Sequence, residues 1–167
     1  MKLNIVTYPN KLLRTKLKKV DNFNDPQLPK IIKEMTRLMF KYDGVGLAAN
    51  QAGLNMRLIV INTEKGPQIF INPCIKRKSL LKQKFDEGCL SFPEITGWVS
   101  RPKKVTLEYQ DENGNKKKIE AKNLMATVFQ HELDHINGII FTDKIKKFTA
   151  GEDKFKELKK QAKNDEK

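Results

Sequence analysis

No stretch of this chain approaches the apolar length that a membrane-spanning helix needs, which excludes a helical membrane protein. The opening Met-Lys-Leu-Asn-Ile-Val runs at once into the turn-like Tyr8-Pro9-Asn10, so neither a secretion-type apolar segment nor an Arg-rich presequence is expected. Cysteine occurs only at positions 74 and 89, too few for a disulfide framework, and the thiols are expected to be reduced. The expected compartment is the cytoplasm, though a mature organellar or a virus-encoded protein would read the same way. Acidic residues are scarce too, 20 against 33 Lys and Arg, a formal charge of +13 spread along the whole chain. Such a balance suits polyanionic neighbours and serves equally as solubilising charge. No internal repeat divides the 167 residues, which suffice for one domain with a real core, expected over 1–167.

Histidine is rarer still, and its placement is the most informative feature. The only two, His131 and His135, stand four apart in His-Glu-Leu-Asp-His, an HExxH pattern inside an apolar segment at 124–137. On a helix, residues four apart share a face, so both imidazoles can grip one metal ion while Glu132 flanks them as a base. Leu124 and Val128 continue that stripe, Asn123 is the expected cap and Gly138 the stop. Two core histidines at this spacing by chance would leave a carboxylate and two imidazoles buried together without purpose.

Around this segment the pattern alternates between the periods of helix and strand. A basic stretch at 11–19, with Leu12, Leu13 and Leu17 interleaved, suits a short surface helix or arm. Ile31, Ile32, Met35, Leu38 and Met39 recur at helical spacing from Pro29 to Tyr42. Strands are expected at 57–62 and 68–72 around the turn Glu64-Lys65-Gly66-Pro67, with Pro73 closing the second. The acid-free stretch 75–84 reads as a solvated strand or loop. Further strands follow at 98–101, 105–110 and 116–120, the last two joined by Asp111-Glu112-Asn113-Gly114. The fold class is α+β: antiparallel strands around a central buried helix that carries HExxH, with a basic C-terminal helix at 148–160 fraying into a tail that ends at 167.

A catalytic zinc-type site needs three protein ligands and an open position. No His follows His135, and the acids after it, Asp143 and then Glu152, lie in a Lys-rich part. Cys89, beside Gly88 in a short segment of acids and Gly, is the better third ligand, whereas Cys74 reads as a small buried hydrophobe. Ahead of these features, after the helical stretch that ends near Tyr42, lies Val45-Gly46-Leu47-Ala48-Ala49-Asn50-Gln51, whose small residues suit either close approach of a ligand's backbone or a tight connection.

Three motifs in this order, Gly44-Val45-Gly46-Leu47-Ala48-Ala49-Asn50-Gln51, Glu87-Gly88-Cys89-Leu90-Ser91 and Gln130-His131-Glu132-Leu133-Asp134-His135-Ile136-Asn137-Gly138, resemble the peptide deformylases. Tyr8-Pro9 and Arg101 add to the resemblance, which covers roughly 5–145. It implies a metal-dependent hydrolase that removes the formyl group from the initiator formyl-methionine of nascent polypeptides, releasing formate. It implies one divalent ion on Cys89, His131 and His135, natively Fe2+, with Zn2+, Ni2+ or Co2+ taken up in preparations. By the same likeness, water on the metal attacks the formyl carbon, Glu132 acts as general acid and base, and the Gln51 amide and Leu90 N–H stabilise the oxyanion. Gly44, Val45 and Gly46 would receive the peptide as an added strand, and Val45, Leu124, Thr127 and Val128 would line the methionine pocket, where an aliphatic residue is expected in place of Thr127. Glu87 and Arg101 would pair to brace Cys89, with Asp134 a further acceptor. The basic C-terminal helix would dock on the ribosome near the exit tunnel, and the chain would act as a monomer with no membrane partner. A zinc endopeptidase with another third ligand and a basic RNA- or ribosome-binding module with a structural histidine site are the rival readings.

Overall fold

The computed structural model describes residues 2–164. Helix α1 (Leu28–Lys41) forms on the stripe of helical spacing, with Leu28, Ile31, Met35, Leu38 and Met39 buried on one face. Strand β1 (Gly46–Ala48) follows, then a short 3-10 turn at Ala49–Ala52. In β2 (Leu58–Thr63), Leu58, Ile59, Val60 and Ile61 are all fully buried, as in a strand covered on both faces, and it packs on both long helices. Strands β3 (Gly66–Lys78), β4 (Lys82–Cys89), β5 (Phe92–Pro102), β6 (Lys104–Gln110) and β7 (Lys116–Lys122) lead to the second helix, α2 (Asn123–Ile136). Strand β8 (Ile145–Ala150) and helix α3 (Glu152–Asn164) complete the described chain.

The strands form two antiparallel sheets, one ordered β1-β2-β3-β6-β7 and one β4-β5-β8. Helix α2 packs on β1, β2, β6 and β7 of the first sheet and on β5 of the second. Residues from α1, α2 and the larger sheet make the main core, while Leu13, Phe92, Ile95, Val99, Ile140, Phe141 and Phe155 make a smaller one. The α+β architecture of antiparallel strands around a buried helix is therefore the one expected, with a C-terminal helix.

Several local expectations are corrected. Pro73 does not close β3; the strand runs on to Lys78, with shifts in its pairing to β6 between Ile71 and Cys74 and between Ile75 and Arg77. A proline without an N–H is tolerated at such an irregularity. The turn between β2 and β3 is only Glu64-Lys65, because Thr63 already pairs with Gly66. The stretch at 82–89, whose polar residues mask its period, is a strand with a mostly solvated face. Phe148 lies in β8, opposite Gly97 of β5, and the C-terminal helix begins only at Glu152. Gly151 separates the two with φ of 71°, and a side chain there would collide with the carbonyl oxygen of Glu94. Residues 165–167 of the expected tail lie outside the described residues.

Asn123 does not cap α2. The cap position is Lys122, in extended backbone, and Asn123 takes a φ of 53° while its N–H bonds the carbonyl of Lys103. Gly138 does stop the helix, with φ of 74° and N–H donated to the His135 carbonyl; Ile139 N–H reaches back to Asp134, the pairing of a Schellman end. Cys74 is exposed, not a buried hydrophobe.

Candidate metal centre

The site grows from three elements that meet. Helix α2 offers His131, Glu132 and His135 along one face; β4 ends on Cys89, where a shift in pairing to β5 after Gly88 turns the strand out of register; the 3-10 turn after β1 supplies Gln51. The metal-binding atoms of Cys89, His131 and His135 all lie within 4.8 Å of one another. Cys89 Sγ is 3.2 Å from His135 Nε2, which is 3.3 Å from His131 Nε2.

The surrounding bonds fix the protons. Arg101 donates Nε and Nη2 to the two oxygens of Glu87 at 2.5 and 2.8 Å, and donates Nη1 to Asp134 at 2.7 Å. Burial alone would raise the Glu87 carboxyl, but the bonds from Arg101 and His131 outweigh it and hold it down at about 2. An ionised carboxylate only accepts, so Glu87 Oε2, 2.9 Å from His131 Nδ1, places a proton on Nδ1 and leaves Nε2 as the ring nitrogen that faces Cys89 and His135. Burial, with the charges of His131 and Arg101, pushes His135 well below its ordinary value and keeps it neutral. For His131 burial acts downward but the bonds to Cys89 and Glu87 win and raise it to about 10; an ion bound there would displace that proton. One thiol sulfur and two imidazole nitrogens converging in a buried spot make a donor set that fits a single divalent transition ion.

Glu132 stands beside this trio with Oε2 buried and without a hydrogen-bond partner among the described residues. Burial lifts its carboxyl to about 7, against the opposing pull of His131 and Arg101. Gly46 makes room for it: a Cβ at that position would lie 2.6 Å from Glu132 Oε1. Gln51 accepts the Ala48 N–H on Oε1 at 2.8 Å, which turns its Nε2 toward Cys89 Sγ at 3.4 Å.

A cleft of about 720 Å3 opens in front of these groups. Gly44, Val45, Gly46, Gln51, Glu87, Cys89, Leu90, Leu124, Thr127, Val128, His131 and Glu132 all line it; His135 and Arg101, both buried, lie behind the wall. Val45 and Leu124 stand exposed at the rim, and Thr127 and Val128 are buried. Strand β1 is the edge of its sheet, so its outer side is open to another strand.

Sequence reasoning leaves out Phe85, which also lines the cleft, and Gln83, whose Nε2 donates to Thr127 Oγ1 at 3.2 Å and to the Asn123 carbonyl at 2.7 Å. Both sit in a strand whose mixed polarity hides its periodicity. Asn50 stands in the small-residue motif without a role assigned from sequence; its amide donates to the His135 carbonyl at 2.7 Å and ties the turn that carries Gln51 to the end of α2. Lys144 adds a second cation to Asp134 at 2.6 Å, which makes Asp134 part of the brace.

The family described as polypeptide deformylase matches residues 2–150. The chain is 45% identical over 148 residues to peptide deformylase 1B, chloroplastic, of Solanum lycopersicum, which covers 86% of this chain and 53% of that relative. It is 40% identical over 149 residues to the peptide deformylase of Pelagibacter ubique, covering 86% of each. The chain thus spans about half the length of the tomato relative and most of the bacterial one. Among solved structures, the Thermotoga maritima peptide deformylase superposes with a TM-score of 0.84 at 39% identity, over 87% of this chain and 98% of that one. No helix among the described residues is long and apolar enough to cross a membrane.

Proposed function

The chain belongs to the polypeptide deformylase family, and from that membership we propose that it hydrolyses the formyl group from the initiator formyl-methionine of nascent polypeptides, giving formate and a free amino terminus. The observation that carries this reading is the buried oxygen of Glu132, without a partner among the described residues, beside the convergent Cys89, His131 and His135 in a cleft flanked by a sheet edge.

Cys89, His131 and His135 would hold one divalent ion, Fe2+ natively. When bound, the ion supplies Lewis acidity to water and to the formyl carbonyl. The peptide lies as an added strand along Gly44, Val45 and Gly46, exchanging main-chain hydrogen bonds with the edge of β1. Its methionine side chain enters the pocket formed by Val45, Leu124, Thr127 and Val128. Glu132 takes a proton from the attacking water and gives it to the departing amine; a carboxyl lifted to about 7 by burial is suited to both transfers at neutral pH. The Gln51 amide, held NH2-end inward by Ala48, and the Leu90 N–H donate to the oxygen that gains charge. Glu87, Arg101 and Asp134 keep the His131 ring and the Cys89 strand in place. Residues 1–167 act as one catalytic domain, monomeric, in the cytoplasm or an organelle, and α3 is the element that would meet a ribosome.

The test is formate release from a formyl-Met peptide by protein loaded with Fe2+ under anaerobic conditions. Release is expected, with loss on the order of a thousandfold or more for Glu132→Ala at unchanged metal content. A metal-replete wild type that releases no formate, or a Cys89→Ala variant that keeps both metal and activity, would overturn the assignment.

A further inference from the structure

A second cavity exceeds the cleft in volume. It is a groove of about 970 Å3 that shares no lining residue with it. One wall is the N-terminal arm around residues 16–21 and the other is the hairpin of β6 and β7. The arm is fixed to the body. Leu17 N–H bonds the Ile136 carbonyl at 3.0 Å, Val20 N–H bonds Asn72 Oδ1 at 2.9 Å, and Asn72 Nδ2 returns to the Val20 carbonyl at 2.8 Å.

Lys16 and Lys19 stand on the arm wall, Lys116 and Lys118 on the hairpin wall. All four are exposed, and none is in an ion pair among the described residues. Between the walls lies Arg57, half-buried. Its guanidinium is held by three uncharged oxygens, Asn137 Oδ1 at 2.9 Å and the carbonyls of Ile136 and Pro73 at 3.3 Å, and no carboxylate among the described residues pairs with it. Of the two acids in the lining, Glu108 is taken by Lys76 at 3.2 Å, which leaves only Asp21 against the free cations.

Like charges on two rigid opposed walls repel, and a repeating anion laid between them relieves that repulsion along its whole length. A lipid surface fits poorly. The site is concave, and none of the large exposed apolar side chains, Leu80 and Leu81 included, lines it. We propose that this groove binds single-stranded RNA through its phosphodiester backbone, without reading bases. The choice of RNA among polyanions rests on the function proposed above, since a nascent chain is made where RNA is the abundant polyanion; the groove itself is independent of that chemistry.

The experiment is fluorescence anisotropy of the metal-loaded full chain with a labelled oligouridylate, titrated at several salt concentrations. The variant replaces Lys16, Lys19, Lys116 and Lys118 with Gln; a control of equal charge replaces Lys30, Lys33, Lys159 and Lys160, all exposed and outside the groove. The groove variant should bind at least about tenfold more weakly, with its salt slope reduced by about 0.7 for each phosphate it no longer neutralises. The control should stay within about threefold of wild type. Formate release and thermal unfolding of the groove variant should match wild type, so a failure of the deformylase reading would appear there and not in the RNA titration. Equal losses in both variants would mean charge without a site and would overturn the proposal. So would tighter binding of the matching DNA strand than of RNA, or binding of anionic vesicles with no RNA binding.

Discussion

At Gly46, a hydrogen in place of a methyl group determines where Glu132 can lie. The nearest constraint on this glycine is the carboxylate behind it, since a Cβ would come within 2.6 Å of Glu132 Oε1 and 2.8 Å of its Cγ. Gly46→Ala should displace the carboxyl from the reacting atoms and lower kcat about a hundredfold, because small misplacements are costly in a preorganised site. Metal content and stability should change little. Steady-state kinetics with metal analysis checks this, and an unchanged kcat would mean that Glu132 works from another position. Thr127 gives a gentler prediction. Its hydroxyl is met by Gln83 Nε2, a protein group, at 3.2 Å, and Gln83 keeps a second partner in the Asn123 carbonyl. Thr127→Val should therefore leave kcat/KM for a formyl-Met peptide within about threefold, as expected when no buried group loses its last partner. A much larger loss would place the hydroxyl in contact with the substrate.

Helix α2 carries His131, Glu132 and His135, and its neighbours hold it in register. Arg101 of β5 links Glu87 of β4 to Asp134 of α2, and all three are largely buried. Removing one member leaves a buried charge unpaired, so Arg101→Leu should destabilise the fold by about 3–5 kcal/mol, measured by urea unfolding. The same brace sets an acid limit. The folded-state carboxyl of Glu87 is depressed to about 2 from an ordinary 4.5, so its contribution is fully present above the unfolded value and is lost as pH falls through that window. Metal-free protein should lose on the order of 3 kcal/mol between about pH 5 and about pH 2 from this group. Glu87→Gln should show a flatter profile there, and an identical profile would remove Glu87 as the cause. The basic stretch beyond Phe141 shows how an element can be misread from its residues. Phe148 reads as the start of the C-terminal helix, yet its ring meets that of Phe155 at 5.7 Å across a strand and a helix joined at Gly151.

For the molecule as a whole, an ion at the proposed site would be coupled to the fold, because Cys89, His131 and His135 come from two elements that meet only in the folded chain. An ion at about a hundred times its Kd adds about 2.7 kcal/mol, and for a chain of this size each kcal/mol shifts Tm by about 2–4 °C. Chelation should therefore lower Tm by roughly 5–10 °C, and differential scanning calorimetry with and without chelator measures it. No shift would show that the site does not hold an ion under those conditions. The helices α1 and α2, the buried strand β2 and the hairpin of β6 and β7 are legible in the sequence because each has one strong period and clear punctuation. Strands β4 and β8 are not, since their short, mixed patterns depend on pairing with β5. His131, Glu132 and His135 can be read as one unit because helical periodicity alone puts them on one face. Cys89 can be joined to them by elimination, and Gln51 by resemblance. Nothing local in the sequence could reveal that Gly46 clears space for Glu132, that Glu87 fixes the His131 proton, or that an arm and a distant hairpin enclose a basic groove around Arg57. Those facts depend on distances between residues far apart in the chain, and only packing sets such distances.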